Sequence, residues 1–195
     1  MTSSEQTELV LGEARALERR VDRALGILDL PERAAALGGS PARLGLACGR
    51  FNGAVTLRLL KGALVAAEEA GEAVGATTLC WVPGAFELPL AAAALAASGT
   101  VDAVVALGAV IRGETAHFDF VAGQCAAGLQ EVQLRYRLPV AFGVLTTEDL
   151  DQALARSEPG PTNKGYEACN GALDMLALLR KVGGPPGLER RGGGS

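Results

Sequence analysis

The chain has 195 residues, 49% of them hydrophobic, so it can bury the core of one ordinary domain with an appendage and is not disordered as a whole. A formal net charge of −4 runs against the concentrated basic face of a nucleic-acid-binding domain, which leaves a small-molecule ligand as the expected partner. Cys48, Cys80, Cys125 and Cys169 form no Cys-x-x-Cys pair and the chain has 1 histidine, so neither a metal site nor a disulfide framework is expected; the cysteines read as reduced, mostly buried thiols of a cytoplasmic protein.

In chain order, residues 1–40 differ in character from the rest of the chain. Leu17, Val21, Leu25 and Leu28 repeat at helical spacing among Glu and Arg residues, which predicts an amphipathic helix ending near Pro31. It either packs on its own body or a neighbouring subunit, or serves as a partner-binding segment. The Thr/Ser/Glu-rich start does not match a secretory signal, and each apolar run is broken well short of the roughly 20 residues a membrane span needs. A soluble, cytoplasmic protein with no membrane partner is expected. Gly38, Gly39, Ser40 and Pro41 mark a hinge.

From residue 42 onward strand-like and helix-like runs alternate: strand 43–48 and helix 54–70, strand 77–82 and helix 86–97, strand 101–111 and helix 118–136, strand 140–146 and helix 148–156, then a helix over 165–181. Such alternation predicts an α/β domain over 41–182, with a mainly parallel four-stranded sheet and helices on both faces. Residues 183–195, rich in Gly and Pro and ending Gly192, Gly193, Gly194 and Ser195, read as a flexible tail. There is no Gly-x-Gly-x-x-Gly and no Gly-Lys-Ser/Thr loop, so nicotinamide, flavin and ATP lose ground and no cofactor is expected.

Ligands of open α/β folds sit at the carboxyl ends of the strands, and each of the four ends carries an unusual cluster. The first leads to Phe51 and Asn52, an aromatic face and an amide suited to a planar ring and its edge. The second leads through Pro83 and Gly84 to Ala85, Phe86 and Glu87; Glu87 either bonds a hydroxylated or amide-bearing ligand or stabilises a helix terminus. The third ends in Ala109, Val110 and Ile111 and gives way to Gly113, Glu114, Thr115 and His117. A turn opening a helix can aim unpartnered N–H groups at an anion such as phosphate, and an imidazole beside it can move protons near neutrality; the plain alternative is a structural histidine. The fourth strand carries Phe142, with Arg156 and Lys164 beyond it. Arg156 either grips phosphate through its planar fork or is a solvated surface residue.

Taken together, Gly-Arg-Phe-Asn, Val-Pro-Gly-Ala-Phe-Glu-Leu-Pro, Gly-Ala-Val-Ile-Arg-Gly-Glu-Thr-Ala-His-Phe-Asp-Phe-Val, Gly-Val-Leu-Thr-Thr-Glu and Asn-Lys-Gly, in one order over about 44–182, resemble the 6,7-dimethyl-8-ribityllumazine synthases of riboflavin biosynthesis. The resemblance implies a three-layer flavodoxin-like sandwich and a cofactor-free, metal-free condensation of 5-amino-6-ribitylaminouracil with 3,4-dihydroxy-2-butanone 4-phosphate. It implies that Phe51 stacks on the pyrimidine, that Asn52, Ala85, Phe86 and Glu87 shape the ring and ribityl pocket, and that Ala109, Val110 and Ile111 line it. By the same resemblance Glu114 and Thr115 meet the phosphate and His117 transfers protons, with Gly113 and Lys164 as further candidates. Phe142 and Arg156 come from a neighbouring subunit in that family's pentamers. A homo-oligomer is implied, either a pentamer or a pentamer-based shell, with riboflavin synthase among the suggested associates.

Two features depart from that pattern. The segment 1–40 is longer than usual, and Ser157, Glu158, Pro159, Gly160, Pro161 and Thr162 stand where many members have Ala-Gly-Thr-Lys-Ala-Gly, so a lysine is missing. The rival readings are a catalytically weak shell or scaffold subunit and a lumazine-binding carrier.

Overall fold

The computed structural model describes residues 41–71 and 74–182; the expected amino-terminal helix and the tail from 183 lie outside the described residues. In chain order the elements are β1 (Ala42–Gly49), α1 (Gly53–Glu69), β2 (Val74–Val82), a 3-10 turn (Ala85–Glu87), α2 (Leu88–Ala97), β3 (Ala103–Ile111), α3 (His117–Tyr136), β4 (Val140–Thr147), α4 (Leu150–Arg156) and α5 (Lys164–Lys181).

The four strands form one sheet in the order β2-β1-β3-β4, and every pairing is parallel. This is the parallel sheet with helices on both faces that the alternation of elements predicts, in the three-layer, flavodoxin-like arrangement that the resemblance implies. In that order the connection from β1 passes to one side and the connection into β3 to the other, which opens a crevice at the carboxyl ends of β1 and β3.

Two cores lie against the sheet. On one face, Leu44, Leu46, Val105 and Leu107 pack with Val55, Leu59 and Ala63 of α1 and Cys169 and Leu173 of α5. On the other, Ala47, Val104 and Ala106 pack with Leu88 and Ala92 of α2 and Cys125 and Leu129 of α3. The central strands β1 and β3 are buried on both sides and therefore read as nearly unbroken apolar runs. Burial pushes the Cys48 thiol up to about 12, with a smaller push from Cys80, and does the same to Cys125. All four cysteines are free thiols.

Some boundaries differ from the sequence expectation for local reasons. Strand β2 begins at Val74 rather than 77, because Val74 pairs with Ala42 across a register shift before Leu44; Gly75 and Ala76 carry no strand signal. The helix expected from 86 divides into a 3-10 turn and α2, with Pro89 in the first turn of α2, a position where the missing proline N–H costs nothing. Helix α5 crosses α1 so closely that a Cβ at Gly165 would collide with the Leu59 carbonyl.

Candidate active site

The exit turns of β1 and β2 are bonded together. Arg50 N–H donates to the Val82 carbonyl (2.9 Å) and Phe51 N–H to the Pro83 carbonyl (3.0 Å). A Cβ on Gly49 would stand 3.4 Å from the Gly84 carbonyl carbon, so the two turns lie in van der Waals contact. Phe51 is left 74% exposed, with a ring face available for stacking.

Asn52 takes the left-handed conformation (φ 56°, ψ 37°) at the start of α1, which asparagine tolerates better than most residues. Its carbonyl accepts from Val55 and Thr56, and its side-chain Nδ2 donates to the Ala109 carbonyl at 2.9 Å. The amide thus spends a donor on β3 and fixes the floor of the β1–β3 crevice; the Ala109 carbonyl is engaged by the chain itself. Ala109 and Val110 are buried and Ile111 is half-buried.

In the second turn, one carboxylate oxygen of Glu87 accepts from Gly84 N–H at 2.9 Å, which is the helix-terminus role. Ala85 is buried and Phe86 is 57% exposed. This 3-10 turn packs on α3, so the Phe86 turn and the His117 helix share one end of the molecule.

Beyond Ile111 the chain makes an exposed turn, and His117, also exposed, opens α3. His117 N–H lies 3.4 Å from Thr115 Oγ1, a long contact, and the Ala116 carbonyl accepts from Asp119 (3.1 Å) and Phe120 (3.4 Å). The backbone N–H groups of this turn head a helix of 20 residues, where the macrodipole favours negative charge. Arg112, to which sequence reasoning assigns no role, pairs with both Asp119 and Glu148. Those carboxylates, Asp119 first, push its pKa further up, so it is a permanent cation.

Phe142, Arg156 and Lys164 are not part of that cluster. They line a separate open groove of about 420 Å³ along β4, together with Thr146 and Glu167. Phe142 pairs with Ala106, whereas Ile111 pairs with Thr147; five residues at about 3.3 Å each place Phe142 roughly 16 Å down the sheet from the strand end. Arg156 Nη1 donates to the Gln152 carbonyl at 3.1 Å, and Lys164 Nζ pairs with Glu167 at 2.6 Å. The candidate residues therefore fall into two groups, one in the turns at the ends of β1 to β3 and one lining the groove along β4.

The Asn-Lys-Gly motif divides by role. Asn163 is 1% exposed; its Nδ2 donates to the carbonyls of Ser157 (2.8 Å), Glu158 (3.1 Å) and Arg58 (3.3 Å), and its Oδ1 accepts from Gly165 and Tyr166 N–H. It staples the 157–162 loop to α1 and α5. Its position just before a helix is a legible cap signal; its bond to Arg58, 105 residues away, is not. Among the described residues no group of three His, Cys, Asp or Glu side chains could hold a metal ion, and no helix is long and apolar enough to cross a membrane.

Residues 41–180 match the family model described as 6,7-dimethyl-8-ribityllumazine synthase. The chain is 51% identical over 142 residues to the 6,7-dimethyl-8-ribityllumazine synthase of Edwardsiella ictaluri (strain 93-146), covering 72% of this chain and 91% of the relative. It is 52% identical over 142 residues to that of Sodalis glossinidius (strain morsitans), with the same coverage. To that of Protochlamydia amoebophila (strain UWE25) it is 47% identical over 143 residues, covering 73% of this chain and 83% of the relative.

Proposed function

The chain belongs to the 6,7-dimethyl-8-ribityllumazine synthase family, and we propose that it carries out that family's reaction in a site assembled from two copies of itself. The reaction is the riboflavin-pathway condensation of 5-amino-6-ribitylaminouracil with 3,4-dihydroxy-2-butanone 4-phosphate, giving 6,7-dimethyl-8-ribityllumazine, phosphate and water. The observation that supports the two-copy reading is the offset of Phe142 along the sheet from the end of β3, with Arg156 lining the same groove as Phe142.

Phe51 stacks on the pyrimidine, and Asn52, Ala85, Phe86 and Glu87 bound the ring and ribityl pocket above the floor made by Ala109, Val110 and Ile111. Gly113, Glu114 and Thr115 present N–H groups to the phosphate of the ketone. The substrate amine attacks the ketone, water leaves to form an imine, phosphate is eliminated, and ring closure releases water again; His117 moves protons between these steps. Phosphate departs as an anion, so donors fixed in advance stabilise the transition state, at about 3 to 4 kcal/mol for one well-placed donor. From the neighbouring copy, Phe142 closes the pocket and Arg156 supplies the guanidinium, with Lys164 beside it.

A pentamer satisfies this requirement because a ring repeats one heterologous contact until it closes. The 157–162 loop keeps the length that the resemblance associates with members that build shells from pentamers, which supports such a shell here, and riboflavin synthase is a suitable associate because it uses the product. The catalytic unit is 41–182, with 1–40 and 183–195 as appendages, working in the cytoplasm. A scaffold without turnover would have no physical need for Phe51, His117 and Arg156 together. Mixing the purified protein with both substrates and following lumazine absorbance and phosphate release tests the reading: both products should form faster than without protein, and no acceleration by folded protein would refute it.

A further inference from the structure

Arg112 is the residue on which three segments at the sheet's carboxyl end converge. Its backbone N–H donates to the Thr147 carbonyl at 2.9 Å, tying the end of β3 to the end of β4. Its guanidinium then reaches over the turn. One terminal nitrogen stands 3.2 Å from Asp119 Oδ1 and the other 3.4 Å from Asp119 Oδ2, while Nε pairs with Glu148 Oε2 at 2.8 Å. The guanidinium carbon lies 4.0 Å from the centroid of the Phe118 ring, and Phe118 packs on the core beneath α2 and α3.

We infer that Arg112 is a positioning residue for phosphate use: it closes residues 113–119 into a fixed loop and offsets part of the negative charge of the two carboxylates beside it. This rests on the activity proposed above. The loop from β3 into α3 is held at its start by a backbone bond and at its end by the Arg112 fork, so its N–H groups keep one direction. Asp119 and Glu148 are both exposed and sit close to where a phosphate dianion would dock. Left unpaired they would repel it. Exposed ion pairs add little to stability, so the arrangement acts through geometry and local charge. Arginine suits the task because its planar fork engages two carboxylates and an aromatic face at once, which a lysine ammonium cannot do.

The test is steady-state kinetics of Arg112→Gln and Arg112→Lys beside the wild type. In Arg112→Gln the KM for the phosphorylated ketone should rise about tenfold and kcat should fall, while the KM for the pyrimidine stays within about twofold and the thermal midpoint stays near that of the wild type. Arg112→Lys restores the charge without the fork, so it should recover much of the KM and little of kcat. Adding Glu148→Gln to Arg112→Gln should lower the ketone KM again. An unchanged ketone KM in Arg112→Gln, or equal rises for both substrates, overturns the inference. If the wild type makes no lumazine the activity reading fails instead, and equilibrium dialysis with inorganic phosphate decides about Arg112: weaker binding by Arg112→Gln upholds its role and equal binding overturns it.

Discussion

The side-chain amide of Asn52 donates to the carbonyl of Ala109 at 2.9 Å, joining the turn after β1 to the backbone of β3 across the crevice where the strand order reverses. Two properties of Asn52 can be separated by substitution, since its φ is 56° and only glycine enters that region freely. Asn52→Gly keeps the backbone and loses the bond, at a cost of about 1 to 3 kcal/mol because the Ala109 carbonyl is left without its partner. Asn52→Ala should add about 1 kcal/mol of backbone strain. Thermal midpoints at matched protein concentration should fall in the order wild type, Gly, Ala; an alanine variant more stable than the glycine variant would rule out the backbone part.

His117 and Arg156 should fail in different ways. His117→Ala is expected to lower kcat about 100- to 10,000-fold with little change in either KM, as for loss of a proton-transfer group. Arg156→Ala should chiefly raise the KM for the phosphorylated ketone. Initial-rate measurements with each substrate varied in turn check both, and wild-type constants in either variant would remove that residue from its role.

Packing of α5 against α1 depends on the absence of a side chain at Gly165, where a Cβ would meet the Leu59 carbonyl, and at Gly62, where it would meet Asn163 Oδ1. Backbone cannot move aside as a flexible side chain can. Gly165→Ala should therefore destabilise the fold by about 1 to 3 kcal/mol or more, whereas Gly171→Ala, in the same helix with nothing near its Cβ position, should be neutral or stabilising. Urea unfolding of the two variants gives the comparison, and similar midpoints would contradict the close crossing.

At the opposite end of the sheet, Asp102 accepts from Arg43 N–H (2.8 Å), Nε (3.1 Å) and Nη2 (2.8 Å). Burial pushes the Asp102 carboxyl up, but the Arg43 hydrogen bonds, with the charges of Arg43 and Arg180, outweigh it and hold the pKa below the ordinary value. A depressed carboxylate pKa contributes stability that is present above the unfolded-state value, about 3.9, and lost as pH falls through the folded value. Wild-type stability should accordingly drop more steeply below about pH 4 than that of Asp102→Asn. Parallel pH-stability curves would show that Asp102 contributes nothing to acid sensitivity.

The residues proposed for the ring and the phosphate are legible in the sequence because they lie in short motifs at strand ends, and alternation of apolar runs with helical stretches fixes where those ends are. His117 opening α3 and Phe51 in the turn after β1 follow from that pattern. The features that escape sequence reading depend on contacts distant in the chain. Arg112 looks like a polar residue ending a buried strand, and its partners Asp119 and Glu148 come from two other elements. Lys164 draws attention as a cation, while its neighbours Asn163 and Gly165 hold the loop and the helix crossing. The offset of Phe142 along the sheet comes from the β3–β4 register, which no local motif encodes.

That offset makes the shared site the central claim, and complementation tests it directly. Assayed with the ketone far below the KM of Arg156→Ala, His117→Ala and Arg156→Ala chains should each be nearly inactive, yet a site that takes His117 from the Arg156→Ala chain and Arg156 from the His117→Ala chain is intact. Co-expressed in equal amounts and assembled at random, the two should recover about a quarter of the wild-type sites in a ring of heterologous contacts. Recovery near that level, absent when the separately purified variants are merely combined, is the predicted result; no recovery in verified mixed assemblies would contradict a site built from two copies of the chain.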